Sequence, residues 1–161
     1  MTDPPSPLKH GGTPVASSDD ARRRMKAQRL RDTGAEVALR SELHRVGMRF
    51  RIEQRVIPEL RRRIDVVFPR ARVAVLVDGC FWHACPLHAT WPRSNAEWWR
   101  DKLEANCARD RNTNDLLAAA GWLVVRVWEH EPPPDAAARI AALVAARRAG
   151  QLPGGRVELG P

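Results

Sequence analysis

Apolar positions along this chain fall into helical and strand-like runs that predict an ordered set of elements. Thr33-Gly-Ala-Glu36 matches a capping box, in which a hydroxyl and a carboxylate satisfy free N–H groups at a helix start. Val37, Leu39, Leu43 and Val46 then form an apolar stripe, and Gly47 ends the helix. Three β-rich runs follow at residues 49–57, 64–68 and 72–77, with Pro69-Arg70-Ala71 as a hairpin connection between the last two. A second helix starts near Ser94 or Asn95 and extends, with room for a break, to Gly121. Residues 123–128 make a fourth β-run. After Pro132-Pro133-Pro134, Asp135 caps an Ala-rich helix ending near Ala149.

The order helix, three strands, helix, strand, helix predicts one mixed α/β domain over residues 21–149, a central sheet flanked by helices. A strand that follows the long helix can pair parallel with the third strand through a right-handed crossover. Residues 1–20 are rich in Pro, Gly, Ser and Asp without apolar periodicity, which predicts a disordered tail. Asp19 or Asp20 caps a short basic helix from Ala21, and residues 150–161 read as a flexible Gly/Pro-rich tail.

Composition sharpens this picture. With 161 residues and 43% hydrophobic content, one domain with a real core is expected. No apolar run reaches membrane-spanning length, and no charged segment leads into an apolar signal-like stretch, so the expectation is an intracellular, cytoplasmic protein. The formal net charge is +8, and residues 21–63 carry 14 basic against 5 acidic side chains. Such a segment suits a polyanion, nucleic acid first, which makes the expected location nucleoid-associated; a solvated Arg-rich surface is the plainer alternative.

The three cysteines, Cys80, Cys85 and Cys107, argue by their odd number against a disulfide framework. Cys107 lies in the long helix and reads as core. Cys80-Phe-Trp-His83-Ala-Cys85-Pro-Leu-His88 packs four soft donors into nine residues, and His130 follows the fourth strand. Structural zinc takes four N/S ligands in a tetrahedron, and Cys80, Cys85, His88 and His130 provide two thiolates and two imidazoles. Spacing alone permits His83 to exchange with His88, or the two thiols simply to be buried.

Asp65 interrupts the apolar run 64–68 beside Arg61, Arg62 and Arg63. A carboxylate there suits a hard divalent cation held next to a phosphate, the alternative being an ion pair with those arginines. Asp78 ends the next strand, and a hairpin brings it near Asp65. His83, if free of zinc, is suited to proton transfer beside a metal. Glu36 is accounted for by its capping box, and Asp110 by a helix-surface ion pair within Arg109-Asp110-Arg111. Phe81, Trp82, Trp98 and Trp99 form an aromatic set able to wedge between bases, whereas Trp122 and Trp128 read as core. Trp98 and Trp99 point about 100° apart on a helix, so at most one faces the core.

Together Asp78-Gly-Cys-Phe-Trp-His-Ala-Cys-Pro-Leu-His88, Asn95-Ala-Glu-Trp-Trp-Arg-Asp-Lys102, Asn106, Arg109-Asp110, Gly121-Trp122 and Val127-Trp128-Glu129 resemble the very-short-patch repair endonuclease family. Met25-Lys26 and Arg31-Asp32-Thr33 with Glu36 fit as well, so the resemblance spans roughly residues 21–131. It implies a restriction-endonuclease-like fold with a structural zinc, and a nick 5′ to the thymine of a T·G mismatch. It also implies Mg²⁺ on Asp65 and the main-chain carbonyl of Val77. His83 becomes the proton-transfer residue, Glu36 and Asp110 support the site, and Cys80, Cys85, His88 and His130 hold Zn²⁺. Phe81, Trp82 and Trp99 enter the base stack. Beside this, Arg61, Arg62, Arg63 and Lys102 are candidate DNA-binding residues on their charge. Three departures stand out: Asp78 in place of a histidine some members carry, Ile64 in place of a common proline, and His130 where others have cysteine.

Implied partners are mismatched double-stranded DNA, mismatch-repair proteins and cytosine methyltransferases, with the chain acting as a monomer. Two alternatives stay open: a restriction-type or nicking nuclease of other specificity, and a non-catalytic zinc-stabilised DNA-binding module.

Overall fold

The computed structural model describes residues 32–88, 90 and 93–157. The expected disordered tail at 1–20 and the basic helix from Ala21 lie outside the described residues.

Helix α1 (Gly34–Arg45) starts where the capping box predicts. Thr33 Oγ1 accepts from Glu36 N at 3.3 Å, while the Glu36 carboxylate takes the Thr33 hydroxyl and, one residue further back, the Asp32 N–H, both at 3.0 Å. Only half of the predicted stripe is buried. Leu39 and Leu43 reach the core, but Val37 and Val46 are 49% and 43% exposed.

Five strands form one sheet in the order β1-β2-β3-β4-β5. β1 (Arg51–Gln54), β2 (Ile64–Phe68) and β3 (Val73–Asp78) pair antiparallel, joined between β2 and β3 by the predicted hairpin. The 24-residue helix α2 (Ala96–Ala119) crosses without a break to β4 (Leu123–Trp128), which runs parallel to β3 as anticipated. Helix α3 (Pro133–Arg148) begins two residues before the predicted cap, because Pro132 and not Asp135 precedes its first turn. Two expectations fail at the sheet edges. β1 is shorter than the 49–57 run, and its Ile52 is 42% exposed on an edge strand. Within the expected tail, β5 (Gly155–Val157) pairs parallel with β4. Gly154 permits this, since a Cβ there would sit 2.8 Å from the Gly121 backbone, a distance real side chains do not tolerate.

Alternation in the sheet separates two cores. Val66, Phe68, Val73, Val75 and Val127 pack with Leu39 and Leu43 of α1 and Ile140 and Val144 of α3. On the other face Val67, Ala74, Leu76 and Val124 meet Leu60, Trp122 and Leu117 of α2. Parallel pairing places Asp78 beside Trp128, so β3 and β4 end together, and Glu129 N donates to Asp78 O at 2.9 Å. That shared end is the platform for everything below.

Candidate active site

Asp65, the second residue of β2, reaches β3 one residue before that shared end. Its Oδ2 accepts the Val77 N–H at 2.7 Å. The neighbouring arginines are occupied elsewhere: Arg62 Nη1 bonds Asp110 Oδ1 at 2.7 Å and Arg63 Nη1 bonds the Glu53 carbonyl at 2.9 Å. Burial raises the Asp65 carboxyl to about pH 7, opposed by the Val77 N–H and reinforced by the charges of Glu36, Glu53 and Asp78. Carboxylate oxygens of Glu36, Glu53 and Asp65 lie within 4.8 Å of one another. Three acidic groups brought this close suit a hard divalent cation, whose charge relieves their repulsion. Glu53 is new to the site. It occupies the left-handed region at φ 53 within a strand, a strain of about 1–3 kcal/mol of the kind that collects at functional positions.

His83 stands apart from the sulfur ligands. Its Nδ1 lies 2.5 Å from Asp110 Oδ2 and 3.6 Å from Asp78 Oδ1. Asp110 is therefore no helix-surface ion pair: it is 8% exposed and turned toward the sheet, while its neighbour Arg109 bonds Asn106. Burial works to raise Asp110, but the bond from His83 and the guanidinium groups of Arg126 and Arg62 outweigh it, holding the carboxyl below the usual range. Asp78, 3% exposed, is pushed upward by burial, with Arg126 and His83 opposing.

Cys80, Cys85, His88 and His130 bring their donor atoms within 4.8 Å of one another. Cys80 Sγ is 3.1 Å from His130 Nδ1, and Cys85 Sγ is 3.8 Å from both His88 Nδ1 and His130 Nδ1. Donors around tetrahedral zinc stand roughly 3.5 Å apart, so two thiols and two imidazoles at these separations fit that ion. Burial and the adjacent Cys85 push the Cys80 thiol up to about 11, a cost that a bound cation removes. Spacing had left His83 and His88 interchangeable; the structure puts His88 in the sulfur group and His83 on Asp110. The loop is shaped locally by Ala84 at φ 51, by Cys85 N donating to Cys80 O at 2.9 Å, and by Glu129 Oε1 accepting the Cys80 N–H at 2.6 Å.

Phe81, Trp82 and Trp99 form a half-buried aromatic cluster, with ring centroids 5.1, 5.3 and 6.0 Å apart. Trp98 joins it edge-on at 4.8 Å from Trp99, and neither indole enters the two cores. Asn106 Nδ2 donates to Trp82 O at 3.1 Å, tying the aromatic loop to α2. Arg61 and Lys102 are exposed, whereas Arg62 is committed to Asp110. Two core assignments need correction. Trp122 is buried, but Trp128 is only half-buried and stacks on His130 at 16°, and Cys107 sits half-buried with Sγ 4.0 Å from His83 O.

Comparison with known proteins shows the family to which the chain is similar. The family model "DNA mismatch endonuclease Vsr" matches residues 15–88. The chain is 42% identical over 138 residues to the type II nicking enzyme V.NaeI of Lentzea aerocolonigenes, covering 84% of this chain and 78% of that protein. It is 41% identical over 109 residues to the type II nicking enzyme V.XorIIP of Xanthomonas oryzae pv. oryzae, covering 66% and 77% respectively. With the DNA mismatch endonuclease Vsr of Escherichia coli it shares 36% identity over 107 residues, 65% of this chain and 66% of that one.

Proposed function

This chain belongs to the Vsr family of DNA endonucleases, and on that premise we propose that it nicks one strand of duplex DNA 5′ to the thymine of a T·G mismatch. The observation that carries the reading is that Asp65 and His83 converge on consecutive residues of β3, Asp65 by accepting the Val77 N–H at 2.7 Å and His83, bonded to Asp110, with Nδ1 3.6 Å from Asp78 Oδ1. A carboxylate cluster and a histidine–aspartate pair thus flank one strand end.

In this reading Asp65, with the main-chain carbonyl of Val77, holds Mg²⁺, and Glu36 and Glu53 complete its acidic surroundings. The bound cation supplies neutralisation of the charge that builds on the phosphate. His83, its Nδ1 turned to Asp110, presents Nε2 to take a proton from the attacking water or deliver one to the leaving oxygen. Phe81, Trp82 and Trp99 insert beside the mismatch, where opening the stack costs less than at a paired step. Exposed Arg61 and Lys102 supply the backbone contacts, with Arg63 alongside. Cys80, Cys85, His88 and His130 hold a structural Zn²⁺ that fixes the loop carrying His83.

The relatives' names divide between mismatch endonuclease and nicking enzyme, so the alternative is a nick at another site. An end-labelled duplex with one T·G mismatch, beside its T·A control, separates them when flanking bases are varied. One Mg²⁺-dependent nick 5′ to the mismatched thymine, absent from the control and with Asp65→Ala, is the expected result. Equal cutting of both duplexes would favour the alternative. Tight binding without any cutting would leave a DNA-binding module.

A further inference from the structure

Arg126 is the one charged side chain in β4, a strand that otherwise reads Leu-Val-Val and Val-Trp. Its side chain is 16% exposed, on the face that meets α2. A guanidinium in such a place is costly unless every partner is in position. Here Nη1 donates to Asp78 Oδ1 at 2.6 Å and Nε donates to Asn114 Oδ1 at 3.1 Å. Nη2 lies 3.2 Å from Asp110 Oδ1 as an ion pair, without hydrogen-bond geometry. Arg126 therefore touches both carboxylates that stand near His83 Nδ1. Asp78 Oδ1, 3.6 Å from that nitrogen, is the oxygen Arg126 takes.

We propose that Arg126 is a positioning residue: by binding Asp78 it leaves Asp110 as the only carboxylate among the described residues bonded to His83 Nδ1, and so fixes the imidazole with its proton on Nδ1 and Nε2 bare. Two carboxylates face one ring nitrogen, and the guanidinium decides between them. Charge count supports the assignment. The carboxylates of Asp78 and Asp110 stand against the guanidinium groups of Arg126 and Arg62, so losing Arg126 leaves a buried carboxylate without its partner. That charge then competes for His83 and turns the ring. Asp78 and Arg126 form a unit whose members are tolerated together and not singly.

The inference rests on the proposed role of His83 only for its effect on rate; the tautomer is observed independently. Arg126→Gln, Asp78→Asn, their double variant and Arg126→Lys are compared with wild type, each checked for folding by thermal midpoint. Long-range ¹⁵N–¹H correlation spectra at pH 8 report the His83 tautomer. Single-turnover nicking of the T·G duplex reports rate, and its binding curve reports affinity. Arg126→Gln is expected to mix the tautomers and slow nicking by about 10- to 100-fold at unchanged duplex affinity. The double variant restores the Nδ1–H form and returns to within about tenfold of wild type, less than the product of the single losses. Arg126→Lys, which keeps the charge opposite Asp78, folds and keeps the wild-type tautomer. An unchanged tautomer in Arg126→Gln, or losses that multiply in the double variant, overturns the proposal. If wild type nicks no duplex, the proposed function fails while the tautomer still decides the role of Arg126.

Discussion

His83 Nδ1 and Asp110 Oδ2 meet at 2.5 Å, a contact that reaches from the loop after β3 to the middle of α2. A hydrogen bond of this kind orients an imidazole for proton transfer. Replacing His83 by Ala is expected to lower single-turnover nicking by about 10²- to 10⁴-fold with duplex affinity preserved. Asp110→Asn should lower it less, and the double variant should match His83→Ala, because the pair acts as a unit. Losses that multiply in the double variant would mean independent roles.

Asp65 gives the site a pH dependence. Its carboxyl is raised by burial from 3.8 to about 7 in the folded chain. Below 3.8 the folded and unfolded forms are both protonated and the favourable contribution is whole. As pH rises toward 7 the unfolded chain ionises first, so the folded state loses stability relative to Asp65→Asn, and above 7 the deficit is constant. Thermal midpoints of both proteins from pH 4 to 8 without Mg²⁺ should diverge in this sense. Mg²⁺ affinity should rise with pH and level off above about 7. Affinity that is flat across this range would remove Asp65 from the cation site.

Glu53 is a further member of the acidic cluster with Glu36 and Asp65. Glu53→Gln is expected to raise the Mg²⁺ concentration for half-maximal nicking by about tenfold, with the rate at saturating Mg²⁺ within a few-fold of wild type. A Mg²⁺ titration identical to wild type would leave Glu53 as a strained edge residue only.

The sulfur group predicts about one zinc per chain by elemental analysis. Cys85→Ser should lose the metal, lower the thermal midpoint and abolish nicking, since the loop between Cys80 and His88 carries His83. Retention of stoichiometric zinc by Cys85→Ser would mean that another donor holds it.

Trp82 and Phe81 are expected to govern mismatch preference more than rate. Stacking contributes about 1–3 kcal/mol per base, so Trp82→Ala should reduce the ratio of T·G to T·A nicking by at least about fivefold. A ratio that does not move would confine the cluster to holding the loop.

The clustering of two cysteines and two histidines is legible in the sequence because three of the four are local: Cys80, Cys85 and His88 fall within one loop, and the end of β4 brings His130 to them. Register was not legible. Glu53 reaches Asp65 because β1 pairs with β2 at Ile52–Val66 and Gln54–Ile64, a pairing no local pattern specifies. Nothing in the fourth run singles out Arg126, and only the parallel pairing of Leu76 with Arg126 sets it beside Asp78. Arg62 lies in a basic run with Arg61 and Arg63 that suits a polyanion, and its partner Asp110 is 48 residues away in sequence. The apolar stripe of α1 was read too wide, since the helix offers Leu39 and Leu43 to the core and leaves its flanking valines in solvent.

His88 and His130 stand at the two ends of a segment that contains all of α2 and β4. A cation shared between them turns that segment into a closed ring, with Trp99 and Asp110 carried inside it. Opening of α2 from the sheet would then be disfavoured, because the closed ring leaves the opened segment less conformational freedom to gain. Amide protons of α2 should accordingly exchange more slowly while the metal is held than after it is withdrawn.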